Sequence, residues 1–97
     1  MIPILQTGLP TGTGGIFQTQ VVTPIAAGAR FIPTVGVYYV LAVGADVRLQ
    51  ILDGNGVWNN ITPAGTIPDG VLIMDGNSIG FVNNGVGIEN VTTLQIG

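Results

Sequence analysis

The chain has 97 residues, 46% of them hydrophobic, and it sets two arginines against five carboxylates with no lysine, histidine or cysteine, for a net charge of −3. That length makes one domain with a modest core. The missing residue types exclude a disulfide frame, a thiolate nucleophile, a Cys-ligated zinc, a lysine Schiff base and the usual imidazole proton shuttle. A weakly acidic chain without a basic cluster also argues against nucleic acid and anionic membrane surfaces.

Residues 1–15, MIPILQTGLPTGTGG, carry no charge, two prolines and four glycines. Such a stretch builds no core of its own and reads as an extended N-terminal arm suited to lying across a partner or adding a strand to a neighbour's sheet edge. Ile2, Ile4, Leu5 and Leu9 are its expected contact residues; the bland reading is a frayed terminus. With neither a charged n-region nor a long apolar run, no signal peptide or membrane span is predicted.

The β domain is expected over residues 16–97. Residues 16–22, IFQTQVV, read as a first strand, and residues 23–34, with two prolines, as a crossover holding at most a short edge strand around Arg30 to Ile32. Arg30 is a candidate interface contact, against the alternative of a solvated or locally paired arginine.

Residues 37–62, VYYVLAVGADVRLQILDGNGVWNNIT, hold the longest apolar run and the clearest alternation. They read as a three-stranded antiparallel meander at the centre of the fold. A tight turn at Gly44-Ala45 would pair Ala42 with Val47, Val40 with Leu49 and Tyr38 with Ile51 on the core face. The opposite face would then carry Val37, Tyr39, Leu41 and Val43 beside Asp46, Arg48 and Gln50. A sheet in a small sandwich leaves one face to water. Large apolar residues there predict a cover, unless a closed barrel or local twist buries both faces. Asp53-Gly54-Asn55-Gly56 is the strongest turn signal. Trp58 points into the core after an even loop and outward after an odd one, where it would serve as an interface or sugar-stacking anchor.

Residues 62–70 form a long turn. Val71 to Met74 is a buried-looking strand, 75–77 a turn, 78–82 a returning strand and 83–85 another turn. Residues 86–89 and 91–96 close the chain as two strands, with Leu94 and Ile96 expected inward and Gln95 outward. The text ILDGNG at 51–56 recurs loosely as IMDGNS at 73–78, which reads as shared hairpin grammar. Many short strands and no amphipathic helix predict an all-β fold, a single-domain antiparallel β-sandwich or jelly-roll-like barrel.

No residue set announces a reaction. The carboxylates Asp46, Asp53, Asp69, Asp75 and Glu89 sit mostly in or beside turns, the usual home of a solvated aspartate. Asp53-Gly54-Asn55 and Asp75-Gly76-Asn77 begin like calcium loops but lack the later ligands and the bidentate Glu. Ser78, the sole serine, has no His or Lys to activate it. Gly12-Thr13-Gly14-Gly15 lacks the lysine and helix of a phosphate loop. A non-enzymatic protein without cofactor or metal is expected.

Charge density is the main functional clue. A folded chain of this mass exposes roughly 5,200 Å², or one charge per about 740 Å². Charged residues make up 7% of the chain, where soluble surfaces run to about 25–35%. Such an exterior is suited to being covered. Two readings follow: an assembly component that clamps neighbouring subunits through its arm and an apolar sheet face, or a glycan- or receptor-binding module. In the second, Trp58, Tyr38 or Tyr39 would stack on a sugar while Asn59 and Asn60 hydrogen-bond it. The arm and the low charge favour the first, with Tyr39, Leu41, Trp58, Arg30 and Arg48 joining the arm as contact residues.

The text VRLQILDGNGVWNNIT, followed by short Gly/Asn-punctuated strands ending in TTLQI, resembles small structural proteins of tailed bacteriophages, over residues 46–96 and in strand-turn style rather than in a diagnostic motif. The resemblance implies a capsid decoration (cement) protein on the virion surface, a homo-oligomer and often a trimer, with capsid subunits as partners. A tail or fibre component would share the style.

Overall fold

The computed structural model describes residues 18–97. The expected arm, with Ile2, Ile4, Leu5 and Leu9, lies outside the described residues, as do Ile16 and Phe17.

Eight strands follow in chain order: β1 (Val21–Ile25), β2 (Arg30–Phe31), β3 (Gly36–Val43), β4 (Val47–Leu52), β5 (Trp58–Asn60), β6 (Val71–Met74), β7 (Ile79–Asn83) and β8 (Glu89–Gln95). They form two four-stranded sheets, ordered β1-β8-β3-β6 and β2-β7-β4-β5. The antiparallel pairs β1·β8, β2·β7, β3·β6 and β4·β5 make one long folded-back ribbon, rolled up so that β8 meets β3 and β7 meets β4. That is the jelly-roll form of a β-sandwich, within the expected fold class.

The expected meander is corrected. β3 lies between β8 and β6, and β4 lies between β7 and β5, in the other sheet. The two are consecutive in sequence but not neighbours, so Val40 does not pair with Leu49. At the join, Gly44 N–H donates to Asn90 O and Val47 N–H to Gly44 O. The chain thus turns a corner between layers instead of doubling back. Tyr38, Val40, Val47 and Leu49 all still point inward, from opposite sheets, and are buried. Alternation specifies the face of a strand, not its partner.

Other boundaries move as well. β1 starts later than residues 16–22 and includes Pro24, tolerated because β1 is an edge strand. The closing segment is one strand rather than two, and Val86 and Ile88 stand exposed ahead of it. Val91 and Thr93 are the inward positions of β8, so Leu94 and Ile96 take the outer face, contrary to their expected inward direction.

Phe81, Met74, Val47 and Val91 are fully buried, with Phe31 stacked on Phe81 at 6.4 Å. Each such side chain contributes about 1.5–3 kcal/mol through removal from water. Asn83 is fully buried among them. Its Nδ2 donates to Ile25 O at 2.9 Å and Gly87 O at 2.8 Å, and its Oδ1 accepts from Gly85 N–H at 2.8 Å. That one side chain ties β1, β7 and the β7–β8 loop together.

Candidate functional site

The two outer sheet faces differ in chemistry. On the β1-β8-β3-β6 sheet, register builds three cross-strand rows: Val22–Thr92–Ala42, Leu94–Tyr39–Val71 and Ile96–Val37–Ile73. A register shift between Val40 and Ala42 adds Leu41 to this face. The same bulge rotates Val43 inward to pack on the core, against its expected outward direction. Ile73 is 74% exposed, Val22 58%, Leu41 40% and Tyr39 38%. The only ionisable side chain in these strands apart from the two tyrosines is Glu89, opposite Ile25 at the inward register; it accepts from Asp46 N–H at 2.8 Å. Water therefore meets a wide uncharged band across the whole sheet, of the kind that marks contact surfaces. Tyr39 and Leu41 belong to it, but Asp46, Arg48 and Gln50 do not lie beside them as expected, since β4 is in the other layer.

The β2-β7-β4-β5 sheet presents a polar face. Its rows are Arg30–Val82–Arg48, Gly80–Gln50–Asn60 and Leu52–Trp58. The β4–β5 loop holds five residues, 53–57, an odd number, and Trp58 turns outward with Leu52. The Arg30 guanidinium lies 4.2 Å over the Trp58 ring, a cation–π contact. Its Nε and Nη2 donate to Gln50 Oε1 at 3.2 and 3.0 Å, and Gln50 Nε2 donates to Asn60 Oδ1 at 2.8 Å. This cover leaves Gln50 buried although it points away from the core. The fold thus gathers Arg30, Arg48 and Trp58 on one face. Gly80 and Gln50, not anticipated as site residues, organise it; a glycine inside a strand is the signal of a close approach that could have found Gly80.

The sugar-binding set comes apart. Tyr38 is buried, with its hydroxyl donating to Thr34 O at 3.0 Å. Asn59 Nδ2 is held by Asp53 Oδ2 and Val57 O, both at 3.1 Å. Asp53 and Asp75 close their own turns. Asp53 Oδ1 accepts from the N–H groups of Asn55 and Val57, and Asp75 accepts from Asn77, Ser78 and the Ser78 hydroxyl. The Asn59 amide, then the two backbone donors, hold Asp53 below its usual pKa. The Ser78 hydroxyl, then the Ser78 and Asn77 N–H groups, bring Asp75 down to about 2.

A half-open cleft of about 290 Å³ lies where the β1 and β2 edges meet, lined among others by Val21, Thr23, Phe31, Pro33 and Tyr38. Its lining includes no carboxylate or arginine. No protein-family model, curated protein or solved structure matches the chain.

Proposed function

We propose that this protein is a non-enzymatic structural component of an assembly, of the capsid decoration (cement) type, stabilising a phage shell from the virion surface as a homo-oligomer, a trimer by preference. The observation that carries this reading is the uncharged outer face of the β1-β8-β3-β6 sheet, with Tyr39, Leu41, Val71 and Ile73 exposed together. Burying such a face against a partner is favourable at about 25 cal/mol per Å² of apolar area, and leaving it wet invites aggregation. Further support comes from the low charge density, the uncharged residues 1–15 and the jelly roll itself, an architecture used in capsid domains.

The test is binding to the shell. Deleting residues 1–15 is expected to leave a folded domain that no longer binds its capsid; undiminished binding would count against a clamping role for the arm. The second reading, a glycan- or receptor-binding module, draws on the outward Trp58 with Asn60 beside it in β5. It is the weaker one, because Tyr38 is buried, Asn59 is tied to the turn and the Trp58 ring already carries Arg30.

A further inference from the structure

Only two cations exist in this chain, and both stand in a single cross-strand row on the outer face of the β2-β7-β4-β5 sheet, flanking Val82. Two inter-strand spacings separate their backbones, about 10 Å. The four strands of this sheet contain no acid. Arg30's hydrogen bonds to described residues go to the neutral Gln50 and its charge rests on an aromatic ring, so among the described residues it is held in place with no acid paired to it.

The geometry also decides which donors are left. Among the described residues Gln50 takes the Nε/Nη2 side of the guanidinium and none takes the end-on Nη1/Nη2 pair, the fork that grips an oxyanion with two parallel bonds. The two side-chain carbonyl oxygens in the network are engaged within it, Gln50 Oε1 by Arg30 and Asn60 Oδ1 by Gln50 Nε2. What this network offers a visitor is therefore N–H donors and positive charge. Trp58 serves as the backing of Arg30 rather than as a bare stacking platform, and arginine with tryptophan is a pairing enriched in protein contacts.

We propose that this face is a second, electrostatic docking surface, on which Arg30, backed by Trp58 and pinned by Gln50, takes a carboxylate of an acidic protein segment through its end-on edge while Arg48 supplies the second positive charge. It lies on the opposite sheet from the apolar face and does not depend on it. The chain would then contact one neighbour through apolar burial and another through charge.

The test is an NMR titration of the isotope-labelled full-length chain, following the Arg30 Nε–H and Trp58 indole N–H signals. The probes are a capped hexaglutamate peptide, the matching hexaglutamine peptide, N-acetylneuraminic acid and inorganic phosphate. Saturable shifts with hexaglutamate alone are expected. Arg30→Lys should weaken that binding about tenfold, because a lysine has no fork, and Ile67→Thr, at an exposed position of the 62–70 turn outside both faces, should leave it unchanged. No saturable shift, an equal response to hexaglutamine, or saturation by phosphate at the same concentration would overturn the proposal. Tighter binding of N-acetylneuraminic acid would replace it with a glycan site. The wild-type titration decides even if a variant fails to fold.

Discussion

Arg30 crosses β7 at Gly80. A Cβ built on Gly80 would stand 3.2 Å from Arg30 Cγ and 3.0 Å from Phe31 O, so the absence of a side chain there is what lets the arginine reach Gln50 and Trp58. Gly80→Val is expected to lift Arg30 off the sheet and to cost about 1–3 kcal/mol through overpacking. Trp58 is the sole tryptophan, so its fluorescence reports the loss of the stacked cation directly. Gly54, where a Cβ would meet nothing within 4 Å, is the control; Gly54→Ala should change urea stability by less than about 0.5 kcal/mol.

Asn83→Ala should be among the most damaging substitutions. It leaves the carbonyls of Ile25 and Gly87 and the N–H of Gly85 without their partner. Three lost bonds around a fully buried side chain, the one to Ile25 O itself buried and the other two part-buried, predict a loss of roughly 2–4 kcal/mol, measured by denaturant unfolding. A loss below about 1 kcal/mol would mean that water or a shifted loop replaces the amide.

Asp75 gives the chain an acid-sensitive turn. Its folded pKa, about 2, lies below the usual 3.8. A depressed folded value means that the ionised form favours the native state. The contribution is complete above about pH 3.8 and is lost as pH falls through about 2. Asp75→Asn should therefore lower the urea midpoint at pH 6, and the gap from wild type should narrow towards pH 2. A gap independent of pH would show that the carboxylate's charge plays no part.

Leu41→Asp separates a covered face from a buried one. Leu41 is 40% exposed on the bulge of β3. The variant should keep its β-sheet circular dichroism and lose self-association; an unfolded variant would instead place Leu41 in the core.

How much of this was legible in the sequence follows from what each signal encodes. Period-two alternation marked Tyr38 and Val40 in β3 and Val47 and Leu49 in β4 as inward, but not the bulge that turns Ala42 out and Val43 in, nor the 40% exposure of Ile51; the Asp53–Gly56 turn located β4–β5, the hairpin among the described strands. Partnership was not legible. A jelly roll pairs β1 with β8 and β3 with β6, and these long-range choices are made by packing between layers, which leaves no mark on a local window. A short link serves a hairpin or a corner equally well: Gly44-Ala45 reads as a hairpin turn, whereas residues 44–46 make the corner. The outward direction of Trp58 depended on whether Val57 belonged to the loop or to the strand. Leu94 and Ile96 misled because apolar residues usually mark the inside, and here the outer face is apolar too.

The sharpest test of the central claim, that the uncharged sheet face exists to be covered, is the solution mass of the full-length chain by sedimentation equilibrium, beside Ile73→Asp. Ile73 is 74% exposed, so the substitution should spare the fold. A wild-type mass at a multiple of 9.9 kDa, falling to 9.9 kDa in the variant, is the predicted result. A wild-type chain that stays at 9.9 kDa at every concentration, indistinguishable from Ile73→Asp, would contradict it.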